Sequence, residues 1–196
     1  MKAQGKGWST LIIILVVIVV LGLGIFRWYI GGYNNAVRMD EATKTAWANV
    51  DAVLQRRLDL VPNLVETVKG YATHEKELFE NIAQARTKYF QADTRAKQIE
   101  ASNELGGFLS RLLMLQERYP DLKANQNFLA LQQELTTTEN QISSARGNYN
   151  DMVMRCNNLY QMFPSNIVAN MFGYGVEEFF EVKSSEERTA PKVSFK

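Results

Sequence analysis

The chain is poor in the residues from which most catalytic centres are assembled. Its 196 residues include one cysteine, Cys156, and one histidine, His74. A single thiol excludes an intramolecular disulfide and leaves neither a thiolate zinc site nor a CxxC redox pair. A single histidine excludes the HExxH zinc helix, because HEKE at residues 74–77 lacks the second imidazole on its face. No ExxH pair occurs either, so a di-iron bundle has no ligand set. Glycine-rich phosphate loops are missing too: GYG at 173–175 and the pair Gly106 and Gly107 match no nucleotide motif. With a net charge of +1 and no strongly basic window, nucleic acid has no electrostatic footprint to bind. Only four prolines occur, and beyond residue 30 the β-branched residues form no alternating runs, so nothing reads as a set of strands. These absences leave an all-α chain, disfavour a hydrolase or metalloenzyme, and give the expectation of no cofactor and no metal.

What the chain has is one long apolar run, WSTLIIILVVIVVLGLGIFRWY, at residues 8–29. Residues 11–26 carry no charge. Trp8 at one end and Arg27, Trp28 and Tyr29 at the other have the amphipathic character of side chains that prefer the bilayer interface. As a helix, Trp8 to Trp28 would span roughly 30 Å, about one hydrocarbon core. The expectation is a flank at 1–10, a transmembrane helix at 11–30 and the lipid bilayer as a partner. A cleaved leader is the rival reading. The run is longer than an ordinary leader core, and no small-residue cleavage site follows it. Lys2 and Lys6 on one flank nearly balance Arg27, Arg38 and Lys44 on the other, so the side of the membrane that holds the domain is undecided.

Beyond the run, apolar residues recur at three-and-four spacing. After Gly31 and Gly32 a helix is expected from near Asn34 to Gly70, bent by Pro62. Thr73 is expected to cap a second helix carrying Leu78, Ile82, Ala85 and Tyr89 on one face. A polar connection at 91–100 leads to a third helix at about 97–118, stopped by the turn sequence YPDLKAN. The last helix, about 125–163, has the cleanest pattern. Phe128, Leu135, Ile142, Tyr149, Cys156 and Phe163 recur every seven residues, with Cys156 read as a small core residue. Pro164 closes that helix, a short apolar segment runs to Phe180, and a charged tail follows at 181–196. Residues 34–180 therefore read as one antiparallel up-and-down bundle of four helices. A continuous middle helix over 74–118 would make it three long ones.

One residue breaks the first seam: Arg57 stands where an apolar side chain belongs, and a buried guanidinium needs an acidic partner or water. In an antiparallel pair of long helices, Glu139 falls opposite it. The same arrangement leaves residues 36–53 and 142–163 short of cover. Ala46, Trp47, Val50, Val53, Tyr149 and Met152 are therefore candidates for self-association, since exposed apolar stripes usually meet a partner.

Three stretches are denser in Asn, Arg, Pro and Tyr than packing requires: QRRLDLVPNLVETVKGYATHE at 55–75, YPDLKANQNFLALQQELTTTEN at 119–140 and FPSNIVANMFGY at 163–174. In this order they closely resemble the LemA family of bacterial membrane proteins, as does APKVSF at 190–195. The resemblance covers nearly the whole chain. It implies an N-terminal anchor in the bacterial inner membrane, a helical bundle and no enzyme activity. It also implies kinship with proteins found beside membrane-associated peptidases and with a branch that takes part in forming magnetosome membranes. The family-motif positions are Arg57, Pro62, Asn63, Glu66, Tyr71, His74, Glu75, Tyr119, Pro120, Asp121, Asn125, Asn127, Glu139, Asn140 and Pro164. Residues and resemblance together point to a membrane scaffold that self-associates. The alternative is a one-to-one adapter of a membrane peptidase or other enzyme; a hydrolase is disfavoured.

Overall fold

A computed structural model describes residues 5–181. Residues 1–4 of the expected flank, Lys2 among them, and residues 182–196 of the expected tail, with APKVSF, lie outside the described residues. Within them the chain is all-helical, without strands. The elements are α1 (Gly5–Lys69), α2 (Lys76–Gln91), α3 (Arg95–Met114), a 3-10 turn (Leu115–Glu117), α4 (Pro120–Lys123), α5 (Gln126–Gln161) and α6 (Ser165–Met171).

Several expected boundaries move. The glycines at 31 and 32 do not start a new helix, and α1 runs unbroken for 65 residues. A glycine inside a helix costs about 1 kcal/mol against alanine but removes no hydrogen bond, so the pair weakens the helix without ending it. Pro62 lies inside the helix, as expected. Thr73 caps nothing: α2 starts after Glu75, whose side chain makes no capping bond. Thr94 is the capping threonine, its side chain accepting from the Lys97 amide at 3.3 Å at the head of α3. Extended backbone at Ala92 and Thr94 separates α2 from α3, so the middle of the chain is a hairpin and not one helix over 74–118. Pro120 does not only stop a helix; it begins α4, where a missing N–H costs nothing.

The described chain divides into two compact units. The larger comprises Thr45–Asp151 and the segment from Glu178 onward. In it α1 and α5 run antiparallel. Tyr71 meets Asn125, Arg57 meets Glu139 and Trp47 meets Tyr149, so partners advance in opposite directions along the two helices. Their seams are buried: Leu54, Leu58, Leu64 and Val68 on α1, and Phe128, Leu135, Ile142 and Tyr149 on α5. The α2–α3 hairpin adds Ile82, Ala85, Tyr89, Leu105 and Leu112. At about 1.5–3 kcal/mol for each fully buried large apolar side chain, these residues dominate what holds the unit together.

The smaller unit comprises residues up to Lys44 and Met152–Glu177. Its core is small: Ala36, Cys156, Tyr160 and Ala169, with Met39, Leu159 and Tyr174 against them. Gly32 serves a purpose here, since a Cβ at that position would stand 3.1 Å from Val168 Cγ2 of α6. The last member of the heptad pattern, Phe163, lies past the end of α5 and is 80% exposed. The apolar run of α1 contains an 18-residue window of mean hydropathy 2.8, none of it buried by the chain. It is the one stretch among the described residues long and apolar enough to cross a membrane.

Candidate functional site

The Arg57 side chain, 3% exposed, is held from two helices. Its Nη1 donates to Glu139 Oε1 of α5 at 2.8 Å. Its Nη2 donates to the backbone oxygen and the hydroxyl of Ser102 on α3, at 2.8 and 2.5 Å. Ser102 is itself buried, and one turn on Gly106 brings the α3 backbone so close that a Cβ there would stand 3.6 Å from Nη1. Glu139 is 43% exposed, so the pair is buried at its cationic end only. A second guanidinium shares the carboxylate's field. Arg146 sits over the Phe180 ring at 4.3 Å, within cation–π range. Burial, then the nearby charge of Arg57, push Arg146 down to about 10, and Glu139 partly offsets them. The Nε atoms of Arg57 and Arg146 are buried without a hydrogen-bond partner.

Chemically this centre ties elements together. A guanidinium stays protonated and is no general base, and the cluster contains no nucleophile beyond the Ser102 hydroxyl that binds Arg57. Its effect is to fix the register of α1 against α3 and α5, because a slip by one residue would strand a buried charge. Tyr89 does the same for α2. Its hydroxyl donates to Asp51 Oδ1 at 2.6 Å, and burial followed by this carboxylate raises its pKa well above the usual tyrosine range. At the far end of the bundle Asn125 accepts from the Phe128 amide at 2.9 Å, capping α5, and donates to the Tyr71 hydroxyl at 2.8 Å. Glu75 pairs with Arg118 at 2.8 Å.

Among the other family-motif positions, Pro62, Asn63, Glu66, His74, Pro120, Asp121, Asn127, Asn140 and Pro164 are exposed, and Tyr119 is half-buried. The structure brings Arg57 and Glu139 together, with Glu75, Tyr71 and Asn125 clustered at the far end. It does not draw the rest into one centre. Among the described residues no group of three or more His, Cys, Asp or Glu could hold a metal ion.

The candidate self-association positions divide. Val50 and Tyr149 are 0% and 1% exposed and cannot be part of an open seam. Ala46, Trp47, Val53 and Met152 are half-buried. At Trp47 and Tyr149 the chain's own C-terminal segment lies against the seam. Asn150 clasps Phe180, donating to its carbonyl at 3.1 Å and accepting from its amide at 2.7 Å. Tyr149 donates to the Glu178 carbonyl at 3.0 Å, and the Phe180 ring lies 6.4 Å from Trp47. In the smaller unit Asn157 clasps Glu177 in the same way, at 2.9 and 2.8 Å. Asn150 and Asn157 carry no motif of their own in the sequence; their one signal is that two asparagines stand seven apart on a heptad helix.

The model of the LemA family matches residues 46–195. The chain belongs to the LemA family. Protein LemA of Metamycoplasma hominis is 28% identical over 152 residues, covering 76% of this chain and 69% of that protein. Magnetosome protein MamQ 2 of Paramagnetospirillum magneticum is 26% identical over 177 residues, with 77% and 65% covered. Magnetosome protein MamQ of Magnetospirillum gryphiswaldense is 24% identical with the same coverage. The chain thus spans about two thirds of the length of each of these relatives. None of their names describes an enzyme. Family, relatives and the exposed apolar stretch of α1 together make this a membrane-associated helical protein.

Proposed function

We propose that the protein is a scaffold at the inner membrane of a bacterial cell, crossing it once through residues 11–30 and self-associating there to present its bundle to other proteins. The observation that carries this reading is the continuity of α1. One unbroken helix holds both the lipid-length apolar run and the bundle's Arg57 seam. The kinship with proteins named for the magnetosome supports a role in organising membrane structure. Self-association would use the anchors together with the half-covered Ala46, Trp47, Val53 and Met152.

A second reading is favoured by the clasp on Phe180. Because Val50 and Tyr149 are covered by the same chain, the bundle has less need of a second copy. A one-to-one adapter of a membrane-associated peptidase or other membrane enzyme then becomes the better description. Light scattering on the full-length protein in mild detergent separates the two. A discrete oligomer that dissociates in Met152→Glu or Val53→Glu supports the scaffold. A monomer in both forms supports the adapter.

A further inference from the structure

In the smaller unit, the chain carries no charged residue from 156 to 176, between Arg155 and Glu177. A water-facing surface of that length ordinarily carries several. Within it the turn after α5, α6 and the segment that follows expose Met162, Phe163, Ile167, Met171, Phe172 and Val176. The opposite face of α6 is satisfied inside the unit, where Val168 and Ala169 are each 1% exposed. The element is thus packed on one side and apolar on the other.

Its place in the unit identifies what covers the apolar side. The Phe172 ring packs at a tilt against Tyr33 at 4.5 Å and Tyr29 at 5.9 Å between ring centres, and Val168 fills the space above Gly32. Tyr29 belongs to the aromatic group that ends the apolar run. Rings of this kind settle at the boundary between headgroups and acyl chains. The exposed apolar patch therefore continues directly from the end of the membrane-crossing stretch.

We infer that residues 162–176 are a second membrane element, an interfacial wedge that lays Met162, Phe163, Ile167 and Met171 into the headgroup–acyl boundary where α1 leaves the bilayer. This rests on the reading of residues 11–30 as a membrane span. Interfacial helices commonly add basic residues for anionic lipid; this one has none. Apolar contact carries the insertion, and the tether to α1 keeps the element at the surface. Insertion into one leaflet beside each anchor would also enlarge that leaflet's interface.

The test uses the full-length protein in phosphatidylcholine vesicles, with Cys156→Ala and one reporter cysteine carrying an environment-sensitive fluorophore. Phe163→Cys and, separately, Met171→Cys report the wedge. Ile18→Cys reports the span and Asn127→Cys the water-exposed bundle. Quenching is read with lipids brominated near the headgroup for positions 163, 171 and 127, with lipids brominated near the acyl-chain ends for position 18, and with aqueous iodide throughout. The expected result is strong lipid quenching and weak iodide quenching at 163 and 171, the reverse at 127, and the same pattern at 163 when phosphatidylglycerol is added. Iodide quenching at 163 and 171 equal to that at 127, with Ile18 still quenched by lipid, would overturn the wedge and leave the span standing. Iodide quenching at Ile18 would overturn the span itself. Protection at 163 and 171 from both quenchers would mean that protein covers the patch and would also overturn the wedge.

Discussion

Leu105 and Phe163 are both large apolar side chains, yet Leu105 is fully buried in the larger unit while Phe163 is 80% exposed in the smaller one. In the larger unit the apolar seams of α1 and α5 are covered, exposed apolar residues such as Phe90 and Met114 lie apart in the sequence, and the buried Arg57 is paired. In the smaller unit the longest uncharged stretches carry exposed apolar side chains along residues 11–26 and 162–176. On the reading proposed above, one chain obeys two rules because its parts face two solvents, and a continuous exposed apolar stretch marks the part that meets lipid.

Substitutions sharpen that contrast. The largest effect is expected for Leu105→Ala, about 3 kcal/mol of lost stability in denaturant unfolding of the full-length protein, since the cavity adds to the lost transfer energy. Next is Glu139→Leu, which leaves the buried Arg57 charge with Ser102 alone beside a second guanidinium. Removing one partner of a buried pair costs about 3–5 kcal/mol, and because Glu139 is half in water about 2 kcal/mol is expected here. If Glu139→Leu costs nothing, the Arg57 centre does not hold the register. Asn150→Ala removes both bonds to Phe180 and should cost about 1–2 kcal/mol, with faster hydrogen exchange at the Phe180 amide.

Tyr89→Phe should cost about 1 kcal/mol, and its pH dependence has a definite sign. Burial and Asp51 raise the folded-state value of this phenol above its ordinary 10.0. Its contribution is therefore fully present below pH 10 and is lost as pH rises further, when the unfolded phenol ionises first. The stabilities of native protein and Tyr89→Phe should converge above pH 10. Arg146, lowered to about 10, is common to both and cancels in the difference. The smallest effect belongs to Phe163→Ala, within about 0.5 kcal/mol. A large cost there would show that Phe163 is covered by protein and would break the comparison.

Much of this was legible in the sequence because the signals are periodic. The heptad run from Phe128 to Tyr149 is buried as its spacing requires, and Arg57 announced itself by interrupting a seam. Glu139 followed from helix lengths alone. The misses are local competitions that spacing does not decide. Gly31 and Gly32 looked like a break but lie within α1, and Thr73 and Thr94 offer the same capping chemistry although only Thr94 makes the bond. The clasped segment was invisible as structure because it has no repeating pattern of its own. Asparagine side chains bind its backbone, and the pattern lies in Asn150 and Asn157 instead. That segment supplies part of the cover of Tyr149, which the helix pattern alone leaves open.

A span at residues 11–30, as proposed, requires that the apolar run stay in the protein and in lipid. This is tested most directly by isolating the protein from its native membranes after alkaline extraction and mapping its peptides by mass spectrometry. A membrane-retained chain in which residues 11–30 are present is expected. A soluble chain that begins after residue 30 would contradict it, and with it both the scaffold and the interfacial wedge.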